Sequence, residues 1–115
     1  MTGPFAMAET VTMDTISPKE AAVMHTENKT VIVDVREDDE WNEHHIYGAV
    51  HIPLGQLNKR LSELESYKNS PIITQCQSGK RSAQAQIALK SAGFSKVYNM
   101  EGGILAWDKE GLTTE

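Results

Sequence analysis

The chain has 115 residues, a formal net charge of −5, a pI near 5.3 and one cysteine, which excludes an internal disulfide framework and a cysteine-rich structural zinc site. Its 39% hydrophobic and 23% charged residues suit one compact globular domain. The acidic balance gives no global attraction to nucleic acid or to an anionic membrane surface.

Residues 1–9, MTGPFAMAE, show neither helical nor strand periodicity and are expected to form a flexible arm, part of it foreign to the native chain. A domain is expected over residues 10–110, followed by a short tail over 111–115. Val11-Thr12-Met13 suits a short opening strand, and Ser17-Pro18-Lys19-Glu20 fits a capping box that starts a helix running toward Thr26. Thr30 to Val35 is a continuous apolar, β-branched run ending in Asp34-Val35, the pattern of a strand covered on both faces. Glu37 to His44 reads as a short acidic helix with Trp41 on its buried side, and Ala49 to Ile52 as a strand ended by Pro53. Leu54, Leu57, Leu61 and Leu64 mark one apolar helix face.

Pro71 to Gln75 is a strand leading into Cys76. A helix is expected from Ser82 to Ser91, closed by Gly93, then a strand at Lys96 to Asn99 and a final helix around Ile104 to Trp107. Strands alternating with helices at such intervals argue for an α/β fold: a small, mainly parallel, five-stranded sheet flanked by helices on both faces. No basic n-region or apolar h-region opens the chain and no apolar run is long enough for a bilayer, so a cytoplasmic location without membrane attachment is expected.

The chemistry concentrates in Cys76-Gln77-Ser78-Gly79-Lys80-Arg81-Ser82, between a strand and a helix. A turn of this kind, with glycine near its middle, curls successive N–H groups toward one point and ends at the positive pole of a helix. Lys80 and Arg81 add fixed positive charge. A thiol at the bottom of such a nest loses its proton more readily, because the nest stabilises the thiolate. Two chemistries fit: sulfur transfer through a cysteine persulfide and phosphoryl transfer through a cysteinyl phosphate. An inert, buried Cys76 is the competing possibility.

These segments together resemble the single-domain rhodaneses, the thiosulfate sulfurtransferase family. The resemblance runs from about residue 14 to residue 109. It is carried by Val33-Asp34-Val35-Arg36, Glu40-Trp41, His45 to Leu54, Cys76 to Ser82, Gly93-Phe94, Val97-Tyr98-Asn99 and Glu101-Gly102-Gly103 through Trp107. Cys76, Gly79 and Arg81 match the family's loop motif. Gln77 stands where the family frequently has arginine, which removes one cation, and His44 stands where it often has glycine. Four residues separate Cys76 from Arg81, whereas the related cysteine-dependent phosphatases resemble this layout with five, so the tighter loop favours sulfur over phosphate.

The resemblance implies that Cys76 takes the outer sulfur of a donor such as thiosulfate and hands it to cyanide or a cellular thiol, including a protein thiol. It also implies that Lys80 and Arg81 hold the donor's sulfonate end, and that no metal or organic cofactor takes part. A second possibility is a sulfur-carrier module fed by a partner protein; Gln77 and the acidic 37–43 segment motivate it. A phosphatase is the third.

Other residues have plainer expected roles. Arg36 and Glu40, four apart, are expected to form a structural ion pair, and Asp34 either supports the cysteine loop or is purely structural. The histidines at 25, 44, 45 and 51 lack metal-ligand spacing, and Trp41 and Trp107 are expected in the core. Gly102-Gly103 is expected to form a tight turn near the rim of the site.

Overall fold

The computed structural model describes residues 14–115. The expected arm and the expected strand at Val11-Thr12-Met13 lie outside the described residues; the first described strand is β1, Thr15–Ile16. It is followed by α1 (Pro18–Glu27), β2 (Val31–Asp34), α2 (Asp38–Glu43), β3 (Val50–His51), β4 (Pro71–Gln75), α3 (Lys80–Ser91), β5 (Lys96–Met100) and α4 (Gly103–Lys109). The start of α1 is the capping box expected from the sequence: Ser17 Oγ accepts from Glu20 N at 3.1 Å, and Glu20 Oε1 accepts from Ser17 N at 2.8 Å.

The five strands form one sheet in the order β1-β5-β4-β2-β3, every pairing parallel. β4 is central, and all four residues of β2 are buried, which is why its sequence is apolar without alternation. On one face Val31, Val33, Ile72 and Val97 pack with Leu57, Leu64, Leu89 and Phe94. On the other, Ile32, Ile73 and Met100 pack with Ala21, Ile46, Ile104 and Trp107. The register Asp34↔His51 and Asp34↔Gln75 aligns three strand ends, so Val35, Ile52 and Cys76 leave the sheet together at its carboxyl end. Open parallel sheets place ligands at this end.

Two expectations are corrected. The leucine-rich stretch is not one regular helix but two 3₁₀ segments, Leu54–Gln56 and Asn58–Tyr67, the second kinked at Arg60 (φ −116°, ψ 19°). The spacing explains this. Leu54 to Leu57 and Leu61 to Leu64 are steps of three, which eclipse in a 3₁₀ helix, and the step of four from Leu57 to Leu61 spans the kink. Arg60 is held there by Gln56 and Glu63. Trp41 is only half-buried: its ring is stacked between His45 (centroids 3.6 Å apart) and His51 (4.7 Å). The helix that carries it is six residues long and buries no residue fully, so the tryptophan covers neighbouring loops instead of entering the core.

The end of the chain is packed on the domain. Glu115 N donates to His45 O, His45 N donates to Glu115 O, and Trp107 Nε1 donates to Thr113 O. Among the described residues no helix is long and apolar enough to cross a membrane.

Candidate active site

Cys76 follows the central strand β4 and is 1% exposed. Gly79 N donates to Cys76 Sγ at 3.1 Å, and the Ser82 hydroxyl lies 3.3 Å from the same sulfur. Burial pushes the thiol's pKa up. The Ser82 hydroxyl and the N–H groups of Ser82, Gly79 and Ser78 outweigh it, so the thiol sits below its ordinary value. These donors face the sulfur because the loop's carbonyls are held elsewhere. Ile104 N donates to Cys76 O at 2.9 Å, Leu105 N donates to Gln77 O at 3.2 Å, and Gln75 Nε2 donates to Cys76 O at 3.0 Å.

Two glycines make that turn possible. Gly79 has φ +107°, a left-handed conformation disfavoured for any residue with a Cβ, and it caps the start of α3. Gly103 has φ +61°, and a Cβ on it would collide with the carbonyl of Gln77. The expected Gly102-Gly103 turn is therefore the seat on which the cysteine loop rests.

The Ser82 hydroxyl has one proton and two neighbours. Asn99 Nδ2 donates to Gly79 O at 3.1 Å, which turns Asn99 Oδ1 toward Ser82 Oγ at 2.6 Å. While Ser82 donates to Asn99, its lone pairs face Sγ and can accept a hydrogen bond from the thiol S–H. Once the sulfur is a thiolate, the hydroxyl can turn and donate to it. Ser82 is buried and further fixed through its carbonyl, which accepts from Thr74 Oγ1 at 2.9 Å. In the sequence Asn99 stands out only as part of a strand and of the family resemblance, because no spacing rule ties it to Ser82.

The other expected site residues divide. Gln77, Ser78 and Lys80 are exposed at the mouth of the loop. Arg81 is half-buried, and its two terminal nitrogens bond Glu40 Oε1 and Oε2, both at 2.8 Å. The Arg81 hydrogen bond, opposed by burial and reinforced by a hydrogen bond from Glu37 N and the charges of Arg81 and Arg36, holds the Glu40 carboxyl down at about 2. The same bond to Glu40 raises Arg81 above the usual arginine range. The expected Arg36–Glu40 ion pair is thus replaced by Arg81–Glu40. Arg36 precedes the first residue of α2, so the helical i,i+4 geometry does not apply to it.

Arg36 instead pairs with Asp34 inside the protein. Asp34 accepts from the Arg36 backbone N (3.0 Å), Nε (3.0 and 3.1 Å) and Nη2 (2.8 Å), and Arg36 Nη2 also donates to His44 O at 2.9 Å. Asp34 therefore closes the end of β2, with both carboxylate oxygens committed to Arg36.

Among the described residues no three His, Cys, Asp or Glu side chains converge in a way that could hold a metal ion. A cleft of about 480 Å³ lies on the opposite face of the sheet, lined by Ala22, His25, Ile46, Tyr47, Trp107 and Leu112 among others. Cys76 does not line it and belongs to the other face.

The profile of the Rhodanese-like domain family matches residues 17–110. The Bacillus subtilis protein YrkF, provisionally named a sulfur carrier, is 46% identical over 76 residues, covering 66% of this chain and 40% of YrkF. YtwF of the same organism, provisionally named a sulfurtransferase, is 37% identical over 87 residues, covering 76% of this chain and 82% of YtwF. Among solved structures, a thiosulfate sulfurtransferase from Pseudomonas aeruginosa superposes with a TM-score of 0.80 at 27% identity, over 90% of this chain and 19% of that one. The chain spans 40–61% of the length of several curated relatives. With a profile match across most of its length and a parallel five-stranded sheet ending in a cysteine nest, the chain belongs to the rhodanese-like domain family.

Proposed function

We propose that this domain is a sulfurtransferase that moves a sulfane sulfur from a donor such as thiosulfate to a thiophilic acceptor through a persulfide on Cys76. The observation that carries the proposal is the aim of the loop: the N–H of Gly79 lies 3.1 Å from Cys76 Sγ, with the N–H groups of Ser78 and Ser82 turned toward the same sulfur. A nest of this kind stabilises an anionic sulfur before attack and the terminal sulfur of the persulfide after it.

The cycle has two steps. The Cys76 thiolate attacks the outer sulfur of the donor, an S–S bond forms to Cys76, and the donor's old bond to that sulfur breaks. With thiosulfate the leaving group is sulfite. An acceptor then attacks the terminal sulfur and restores the thiolate. The acceptor is cyanide in an assay and a thiol, including a protein thiol, in the cell. Cys76 is the chain's one cysteine, so the persulfide has no resolving thiol within it and the sulfur leaves to an outside acceptor. No step needs a metal or an organic cofactor. Gln77, Ser78 and Lys80 form the mouth that meets donor and acceptor, and Asp34 with Arg36 supports the neighbouring strand end.

Steady-state turnover tests the reading. Thiocyanate formation from thiosulfate and cyanide should show ping-pong kinetics and vanish in Cys76→Ser. A Cys76-dependent hydrolysis of an aryl phosphate, with no thiocyanate formed, would favour the phosphatase alternative. The second reading, a carrier loaded by another protein, draws support from the exposed acidic residues Glu37, Asp38, Asp39 and Glu43 beside the loop and from the likeness to YrkF. It expects loading from a persulfidated protein and little from thiosulfate.

A further inference from the structure

Arg81 is the loop cation placed to receive an anionic donor, yet Glu40 occupies both of its terminal nitrogens. The side chains are 32% and 25% exposed, so the pair stands at the mouth rather than in the core. Glu37 is near enough for its charge to act on Arg81 as well. Arg36, the next arginine, is neutralised by Asp34. Lys80 is the loop cation without an ion-pair partner among the described residues. The mouth thus offers amide dipoles and one uncompensated cation, bordered by an acidic helix.

This charge balance treats sulfur donors differently. Thiosulfate brings two negative charges to a thiolate that already carries one, and its sulfonate needs cations around it. The persulfide of an uncharged thiol, R–S–SH, brings one negative charge at most, on sulfur, and no oxyanion. We propose that Glu40 is a specificity-determining residue: by holding Arg81 it turns Cys76 toward persulfide donors and away from thiosulfate. The proposal rests on the sulfurtransferase reading above.

In the favoured step the Cys76 thiolate attacks the terminal sulfur of R–S–SH. The new S–S bond forms as the old one breaks, and R–S⁻ leaves with the electron pair. The proton stays on the transferred sulfur, giving Cys76–S–SH without an external oxidant or reductant. The step develops no charge that Arg81 must neutralise.

The test measures the rate at which Cys76 becomes one sulfur atom heavier, by quenched intact-mass spectrometry, with thiosulfate and with 2-mercaptoethanol persulfide, whose organic part is uncharged, as donors. Glu40→Gln removes the carboxylate charge that compensates Arg81 and should raise the thiosulfate-to-persulfide rate ratio about tenfold, one charge interaction in a partly screened site. Glu40→Asp keeps the charge but is too short to bridge both nitrogens in place, and should give an intermediate ratio. The double variant Glu40→Gln/Arg81→Gln should lose the gain, because the gain acts through Arg81. Should Glu40→Gln fail to fold by circular dichroism, Glu40→Asp decides by the same ratio. A ratio that stays within about twofold of the wild type or falls, with loading intact, overturns the role of Glu40 and leaves the sulfurtransferase reading standing. Loading by neither donor, in any variant, overturns both.

Discussion

Two arginine–carboxylate pairs stand at the same carboxyl end of the sheet and differ chiefly in burial. Arg36 and Asp34, at the end of β2, are 3% and 0% exposed; Arg81 and Glu40, at the loop after β4, are 32% and 25% exposed. The chemistry is the same fork of N–H donors on a carboxylate. Depth separates the roles. The inner pair is committed to fixing a strand end and the His44 carbonyl, whereas the outer pair governs how much positive charge an incoming molecule meets.

The largest effect that separates them is on stability. Asp34→Ala leaves a buried guanidinium without its partner and should cost about 3–5 kcal/mol in urea unfolding. A loss below about 1 kcal/mol would show that water or another group compensates Arg36 and would erase the distinction between the pairs.

Next comes Gly103→Ala, which touches neither pair but puts a Cβ against the Gln77 carbonyl at a left-handed φ of +61°. It should cost about 1–3 kcal/mol and slow modification of Cys76, because the loop loses the seat that aims its N–H groups. Unchanged stability and reactivity would mean that the loop keeps its shape without that contact.

Glu40→Ala should then cost only about 0–1 kcal/mol, since solvent and salt screen the outer pair. Its pH dependence has a definite sign. The folded carboxyl, at about 2, lies below its ordinary 4.5, so its stabilisation is present above about pH 4.5 and is lost as pH falls toward 2. Stability profiles of wild type and Glu40→Ala should therefore converge in acid; a gap that widens there would contradict the pairing.

The smallest expected change is at the thiol itself. Ser82→Ala removes a donor to Cys76 Sγ and should raise the midpoint of the pH profile of iodoacetamide alkylation. A midpoint unchanged or lowered would assign the depression to the loop N–H groups alone.

Much of the scaffold was legible because it depends on local patterns. The β-branched run ending in Asp34 announced a strand buried on both faces, and Ser17-Pro18-Lys19-Glu20 announced the start of α1. The position of Cys76 between strand and helix announced the nest. The 3₁₀ geometry after Pro53 was written in the leucine spacing but not distinguishable from a helix by apolar periodicity alone. The partner of Arg81 was not legible: Glu40 lies 41 residues away, brought close only when β2 and β4 pair in register. Asn99 and the stack of Trp41 on His45 and His51 were hidden for the same reason. Asn99 joins Ser82 across 17 residues and His51 joins Trp41 across ten, with no helical or strand period to connect them; Trp41 and His45 do stand four apart, but His45 lies beyond the end of α2, where that spacing predicts nothing.

The central claim is that the nest on Cys76 exists to carry a sulfane sulfur. Its most direct test is the intact mass of the full chain after exposure to thiosulfate or glutathione persulfide and removal of excess donor. The account predicts an adduct of one sulfur atom, absent from Cys76→Ser and discharged by cyanide. An unmodified mass with both donors, at a concentration where iodoacetamide alkylates Cys76 fully, would contradict it.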